Sequence, residues 1–260
     1  MNQVESFQKQ VFENIEALGQ DKDVQALSRI WSRETNKYGY TYNFTWMGRP
    51  IIQYPQDMLA MQELIWSIQP DLIIETGIAH GGSLIFSASM LELNAACGGP
   101  QEAEVLGIDI DIRAHNRTAI EAHPLSRRIS MIQGSSIALG IIAEVKAKAA
   151  GKKKILVILD SNHTHEHVLA ELEAYAPLTS VGSYCLVFDT LIEDMPGDMF
   201  GDRSWGLGNN PKTAVWEYLR RLQSEQYKDA TGHDLSFEID KRIENKLLIT
   251  VAPDGYLRRI

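Results

Sequence analysis

Five short apolar runs, joined by four stretches long enough for helices, restrict what this chain can fold into more than any other feature. The runs are Asp71–Glu75, Val105–Asp109, Ile129–Gln133, Ile155–Asp160 and Tyr184–Asp189. Between them lie Ser83–Leu93, Arg113–Ala122, Ile137–Lys148 and His165–Tyr175, each long enough for a helix. Val168, Leu169, Leu172 and Tyr175 recur at helical intervals and mark one buried face. Runs that are apolar throughout, rather than alternating, suit strands covered on both sides of a parallel sheet. The rhythm predicts an α/β fold built on an open, doubly wound, mostly parallel sheet.

Beyond Asp189 the rhythm breaks. Residues 190–211 are rich in Gly, Asp, Asn and Pro and predict a long loop, which in a compact domain is usually functional. A helix is expected over Lys212–Gln226, then two β-like runs, Leu235–Ile239 and Leu247–Val251, close enough to pair as an antiparallel hairpin. A seven-stranded sheet finishing in such a hairpin is the outline of the class I methyltransferase fold, here assigned to residues 69–260. Residues 1–68 read as a helical and aromatic N-terminal segment, with helices over Val4–Leu18 and Val24–Trp31. Tyr38, Tyr40, Tyr42, Phe44 and Trp46 then crowd together. Aromatics in that density make a poor surface, so the segment packs on a partner or covers a pocket. A cap completing the core and a lid over a cofactor both fit.

Composition removes several classes of function. The chain has 260 residues, 44% apolar and 23% charged, which excludes collagen, long coiled coil and wholesale disorder. Its formal charge of −9 argues against a non-specific nucleic-acid binder, since phosphate contact rewards a basic footprint. Lys152-Lys153-Lys154 is the only basic run and reads as a solvated turn before a strand. Two cysteines, Cys97 and Cys185, make neither a disulfide framework nor a four-thiolate zinc site. No charged-then-apolar signal pattern and no apolar stretch near the ~20 residues of a membrane span is found. A soluble, cytoplasmic protein is expected, self-associating through its apolar N-terminal region.

Candidate site residues gather where the apolar runs end. The first junction reads Glu75-Thr-Gly77-Ile-Ala-His80-Gly81-Gly82-Ser83. It lacks the glycine spacing of the dinucleotide fingerprint and matches instead an acidic residue, one residue, Gly, three residues, Gly. Glycines there let the backbone approach a ligand with no Cβ in the way. The Glu75 carboxylate suits a cationic amino-acid ammonium and would repel a pyrophosphate. Asp109 ends the second run and can accept both ribose hydroxyls of an adenosine, while Asp111 is placed to cap the next helix. Ser135 and Ser136 follow the third run, where small polar residues contact an adenine or cap a helix.

Asp160 and Asp189 end the fourth and fifth runs. On neighbouring parallel strands their carboxylates would lie close together and repel each other. A hard divalent cation with oxygen ligands resolves that conflict, with waters and substrate hydroxyls completing its octahedron. Helix capping by each aspartate separately is the simpler alternative. His163, His165 and His167 follow Asp160. His163 is the candidate general base, since a pKa near neutrality suits removal of a hydroxyl proton, with the metal lowering the alcohol's own pKa. His165 and His167 read as structural.

Together, Trp46-Met-Gly-Arg-Pro50, Asp160-Ser-Asn-His163, Asp189-Thr190 and Glu193-Asp-Met-Pro196 resemble the cephalosporin hydroxylase / rhamnosyl O-methyltransferase family. The likeness spans about residues 35–255. It implies a class I fold, S-adenosylmethionine as cofactor and a magnesium site. A more distant similarity to catechol O-methyltransferase rests on Glu75-x-Gly-x-x-x-Gly-x-Ser83. It implies magnesium at Asp160, Asp189 and Thr190, with His163 at the position of that family's base. Threonine replaces that family's asparagine ligand, and Phe188 stands where closer relatives carry a further acid. Glu193, Asp194 or a water is then left to supply the third contact.

The expected function is a Mg²⁺-assisted O-methyltransferase using S-adenosylmethionine on a hydroxyl of a sugar or small natural product. The 190–211 loop, with Asp198, Asp202 and Trp205, and the aromatic 38–47 segment are expected to form the acceptor site. Two rivals stand beside it: an iron oxygenase built on His163, His167 and Asp160, and a non-catalytic partner protein that binds cofactor.

Overall fold

The computed structural model describes residues 2–224, 227–229 and 232–260. Helices α1 (Gln3–Gln20) and α2 (Lys22–Asn36) open the chain. Asn2 caps α1 in a capping box with Glu5, and Asp21 caps α2. A short antiparallel pair, β1 (Phe44–Trp46) and β2 (Arg49–Ile51), precedes α3 (Pro55–Ile68). The alternating part follows as β3 (Leu72–Thr76), α4 (Gly82–Ala96), β4 (Glu104–Asp109), α5 (Ala114–Glu121) and β5 (Ile129–Gln133). It continues through α6 (Leu139–Ala149), β6 (Ile155–Leu159), α7 (His165–Tyr175) and β7 (Tyr184–Val187). The chain ends with α8 (Pro211–Ser224), β8 (Phe237–Ile239), α9 (Lys241–Leu247) and β9 (Tyr256–Arg259).

One seven-stranded sheet has the order β5-β4-β3-β6-β7-β9-β8. The first five of these strands are parallel, and β9 runs antiparallel to both β7 and β8. Every residue of β3, β6 and β7 is buried, the signature of strands covered on both faces. Alternation splits their side chains into two apolar layers. Ile73, Val105, Leu156, Ile158 and Leu186 pack with residues of α3 and α4. Leu72, Ile74, Leu106, Val157 and Cys185 pack with residues of α7 and α8. Chain order reverses at β3, which has β4 on one side and β6 on the other, and open α/β sheets bind ligands at the carboxyl end of such a switch. Among the described residues no helix is long and apolar enough to cross a membrane.

The last hairpin differs from expectation. β8 occupies Phe237–Ile239, the last three residues of the expected Leu235–Ile239, but its partner is Tyr256–Arg259, not Leu247–Val251. Asp240 accepts from Arg242 N at 3.1 Å and starts α9, so the chain coils straight after β8. Leu247 and Val251 are apolar because they fill the core layer beside Ile243. Short apolar runs are ambiguous in this way, since periodicity cannot separate a strand from a buried turn of helix. Within 190–211 the chain forms two short 3₁₀ turns, Thr190–Asp194 and Gly197–Phe200. Gln226, the expected end of the helix that follows, lies outside the described residues.

The N-terminal segment both packs and faces solvent. α1 lies against α9, with Arg242 over the Phe12 ring at 4.8 Å. Trp31, Tyr40, Phe44 and Tyr54 form one aromatic cluster, with Tyr40 edge-on to both Trp31 and Phe44. Tyr38 and Tyr42 remain exposed. α3 is bolted to the C-terminal segment by the fully buried Asp57, which accepts from Thr250 Oγ1, from Val251 N at 2.9 Å and from Tyr256 OH at 2.7 Å. Burial outweighs these three donors and pushes its carboxyl up to about 6. Asp57→Asn turns an acceptor into a donor opposite the other donors and should cost about 2 kcal/mol in urea unfolding. The raised folded-state pKa makes the aspartate's own contribution largest below pH 4 and smaller as pH climbs through 6. The stability gap between wild type and Asp57→Asn should therefore narrow over that interval. A gap that widens would show that Asp57 is folded as a carboxylate from low pH upward.

Candidate functional site

The ladders that pair Thr76 with Ile108 on one side and Leu159 on the other bring the loops after β3 and β6 together. Asp160 N donates to Thr76 O at 3.0 Å, and Gly77 N donates to Ile108 O at 2.8 Å. Gly77 has φ +90°, and a Cβ on it would lie 1.9 Å from Asp160 O. Glycine is required there by the neighbouring loop as much as by any ligand. Gly82 is similar, because a Cβ would stand 2.1 Å from Pro50 O. Gly81, at φ +80°, is the N-cap of α4 and provides no side-chain cap, so the first N–H groups of that helix are free to meet a ligand.

The loop 77–81 is held from three directions. Asp109 Oδ2 accepts from Ile78 N at 2.8 Å and Ala79 N at 3.3 Å, while its Oδ1 accepts from Asp111 N at 3.0 Å. Asp109, expected at the ribose, also shapes the loop. Asp111 does not cap α5, whose N-cap is Arg113 with no side-chain bond. Arg49 donates to His80 O from Nε at 3.0 Å and from Nη2 at 2.6 Å, and to Asn116 Oδ1 at 2.8 Å. Asn116 Nδ2 in turn donates to Ala79 O at 2.9 Å. Arg49 lies in the Trp46–Pro50 motif, where a cation between Gly and Pro was the available signal. Asn116 carries no such signal.

Asp160, His163 and Asp189 offer ligating atoms that all lie within 4.8 Å of one another, the single such group of acids, histidines and cysteines among the described residues. His163 Nε2 is 3.1 Å from Asp189 Oδ2. Asp189 sits in the left-handed region at φ +57°, uncommon for a non-glycine, which turns its side chain at the tip of β7. Burial first, then the charges of Asp189 and Glu75, push the Asp160 carboxyl well above the usual range. Among the described residues Gln53 Nε2 is its one side-chain donor, at 3.4 Å. Glu75 is buried, accepts from Ser83 Oγ, has no partner for Oε2 among the described residues, and is raised by burial to about 7. No lysine or arginine bonds to either carboxylate among the described residues, so neither acid is paired with a cation of the protein.

The other expected donors take different places. Thr190, the first residue of its 3₁₀ turn, is buried, and its Oγ1 has no partner among the described residues. Glu193 accepts from Gly208 N at 2.8 Å and from Asn210 Nδ2, and Asp194 accepts from Lys212 Nζ at 2.7 Å, so both serve the loop. His163 stands beside the two aspartates and meets Asp189 Oδ2 through Nε2. The two-histidine set of an iron oxygenase does not assemble, since His167 lies outside the Asp160–His163–Asp189 group and bonds to Ser136 instead. His165 ties α7 to α8 through Thr213 Oγ1 at 2.8 Å. Ser135 does not reach the cleft wall.

These groups surround a cleft of about 470 Å³. Its floor is Gly77, His80, Ser83, Asp160, Ser161 and Asp189. Asn36 and Tyr42 close one side, and Phe200, Arg203 and Trp205 the other. Trp205 stands edge-on to His163 with ring centroids 5.0 Å apart, and the Arg203 guanidinium lies 5.1 Å from the Trp205 centroid. Asp198 and Asp202, expected here with Trp205, do not line the cleft, whereas the unforeseen Gln53 and Arg203 do.

Comparison with known proteins places the chain in a family. The family model described as Rhamnosyl O-methyltransferase/CmcI matches residues 38–260. A rhamnosyl O-methyltransferase of Mycobacterium tuberculosis (strain ATCC 25618 / H37Rv) is 31% identical over 219 residues, 83% of this chain and 78% of that protein. Its counterpart in Mycobacterium leprae (strain TN) is 30% identical, covering 83% of this chain and 82% of that protein. A solved cmcI structure described with Mg and SAM shares the fold, with a TM-score of 0.54 at 19% identity, covering 84% of this chain and 77% of that one. The chain belongs to the rhamnosyl O-methyltransferase/CmcI family.

Proposed function

We propose that this protein transfers a methyl group from S-adenosylmethionine to a hydroxyl of a sugar or small natural product, assisted by a divalent cation. The observation that carries the reading is the meeting of Asp160, Asp189 and His163 at the tips of adjacent strands, in a cleft whose buried carboxylates lack cationic partners. Two oxygen donors suit Mg²⁺, a hard ion that keeps several positions for water and substrate. The relatives named as rhamnosyl O-methyltransferases support a sugar hydroxyl as acceptor, and the cmcI structure described with Mg and SAM supports the pair of ligands.

Each side chain then has a physical task. Asp160 and Asp189 would hold the cation, which when bound lowers the pKa of the acceptor hydroxyl and relieves the repulsion between the carboxylates. His163 takes the hydroxyl proton. Its contact with Asp189 Oδ2 orients the imidazole, and a Nε2–H donated there leaves Nδ1 as the basic nitrogen. The unpartnered Oε2 of Glu75 would take the cationic amino group of the cofactor, and the bare N-terminus of α4 would suit its carboxylate. Asp109, Arg49 and Asn116 keep the 77–81 loop in the shape that the cofactor meets. The 38–54 segment and the 197–205 turn shield the acceptor from water and hold it in line, and positioning supplies most of the rate of such a displacement.

Calorimetry with S-adenosylhomocysteine and Mn²⁺, followed by labelled methyl transfer onto a panel of rhamnosides, tests the proposal directly. Failure of the wild-type protein to bind either ligand would end it. His163→Ala should bind S-adenosylhomocysteine within about twofold of wild type while kcat falls by about 100-fold or more. Unchanged turnover would remove His163 from the reaction. Asp160→Asn should abolish measurable Mn²⁺ binding, and wild-type activity should vanish in excess EDTA and return with Mg²⁺. Turnover indifferent to the chelator would defeat the role of the cation.

A further inference from the structure

α7 presents three polar side chains at four-residue intervals, His167, Glu171 and Tyr175, on the face that otherwise carries Val168 and Leu172 into the core. Glu171 is fully buried, its Oε2 has no partner, and no lysine or arginine forms a salt bridge with it among the described residues. A buried carboxylate in that state is costly, and packing alone would be better served by an apolar residue of similar size. Its remaining oxygen explains its presence. Ser161 Oγ donates to Glu171 Oε1 at 2.7 Å, and Ser161 directly follows Asp160 on the cleft floor. His167 Nε2 lies 3.0 Å from Ser136 Oγ, 3.3 Å from Ser161 Oγ and 3.5 Å from Glu171 Oε1. Tyr175 OH donates to Ser136 O.

The helix thus reaches two loops that the sheet does not connect. Ser136 follows β5 and Ser161 follows β6, strands separated in the sheet by β4 and β3. Three interstrand steps put the strand axes about 14 Å apart, so no ladder bond joins the two. The loops beyond them converge on α7, where the Ser136 and Ser161 hydroxyls lie 3.0 Å and 3.3 Å from His167 Nε2.

We propose that the His167–Glu171 pair of α7, bonded to Ser161 and Ser136, is a positioning device that locks the Asp160–His163 loop to the loop after β5. The inference rests on the methyltransferase reading for the ligands it serves, while the bridge itself is a property of the ligand-free fold. Glu171 and His167 are positioning residues. They act through Ser161 on the aspartate beside it, as outer partners of metal ligands do, whose loss commonly weakens metal binding by 10–100-fold.

Three variants test the bridge in the full-length protein: Glu171→Leu removes the acceptor, Glu171→Gln keeps it, and Ser161→Ala removes only the hydroxyl. Hydrogen exchange without ligands should show residues 134–137 and 160–164 losing protection together in Glu171→Leu and Ser161→Ala, and regaining it in Glu171→Gln. Mn²⁺ affinity by calorimetry should fall about tenfold in the first two and return in the third, with kcat following and acceptor KM unchanged. Should Glu171→Leu fail to fold, Ser161→Ala carries the same test with a smaller excision. Wild-type exchange and Mn²⁺ affinity in Ser161→Ala would overturn the bridge. A wild-type protein that binds neither Mn²⁺ nor S-adenosylhomocysteine would instead defeat the methyltransferase reading, and the exchange pattern would still decide the bridge.

Discussion

Like charges forced together in a dehydrated place are the constraint on which this structure turns. Asp57 and Glu75 are buried, Asp160 and Asp189 line the cleft beside them, and burial raises the pKa of Asp57, Glu75 and Asp160. Among the described residues no lysine or arginine is interleaved to neutralise them. A fold selected for stability alone would place apolar or paired side chains here. The arrangement is intelligible as a receptor for positive charge, in which binding energy offsets a repulsion built into the free protein. A cation between two carboxylates and an ammonium beside a third would relieve it together.

Holding such a cluster requires stiff surroundings, and the molecule provides them through long-range polar contacts rather than local ones. The glycine loop after β3 is gripped by Asp109 from β4, Arg49 from β2 and Asn116 from α5. The loop after β6 is gripped from α7 by Glu171. α3 is gripped at Asp57 by the approach to β9. In each case a charged or amide side chain bonds to backbone or hydroxyl groups of a different element, so the cleft has its shape before any ligand arrives. Preorganisation of this kind is where an enzyme that works by positioning gains most.

The parts of the protein that were legible beforehand share a cause. Leu72–Thr76, Ile155–Leu159 and Tyr184–Val187 lie in double-sided layers, so their sequence is apolar residue after residue and could be read as buried strands. Asp160 and Asp189 were legible because an acid at the end of such a run has few other reasons to be there. What the local pattern missed shares a cause as well. Leu247–Val251 is apolar through packing beneath the sheet rather than within it, and the pattern is the same for both. Asp109 braces amides thirty residues away in the chain, a task that no local pattern reports.

What the amino-acid order determined by itself was the alternation of buried strands and amphipathic helices, and with it a parallel sheet whose strand tips carry the acidic residues. Those features follow from burial and from periods of two and 3.6 residues, which act over a few neighbours and are written locally. Which tips face each other, which acid becomes a brace and which a ligand, and which hydroxyls α7 reaches were decided only when distant segments met. Hydrogen bonds of that kind depend on distances of about 3 Å between residues far apart in the chain. Only the packed sheet and its helices bring such residues that close.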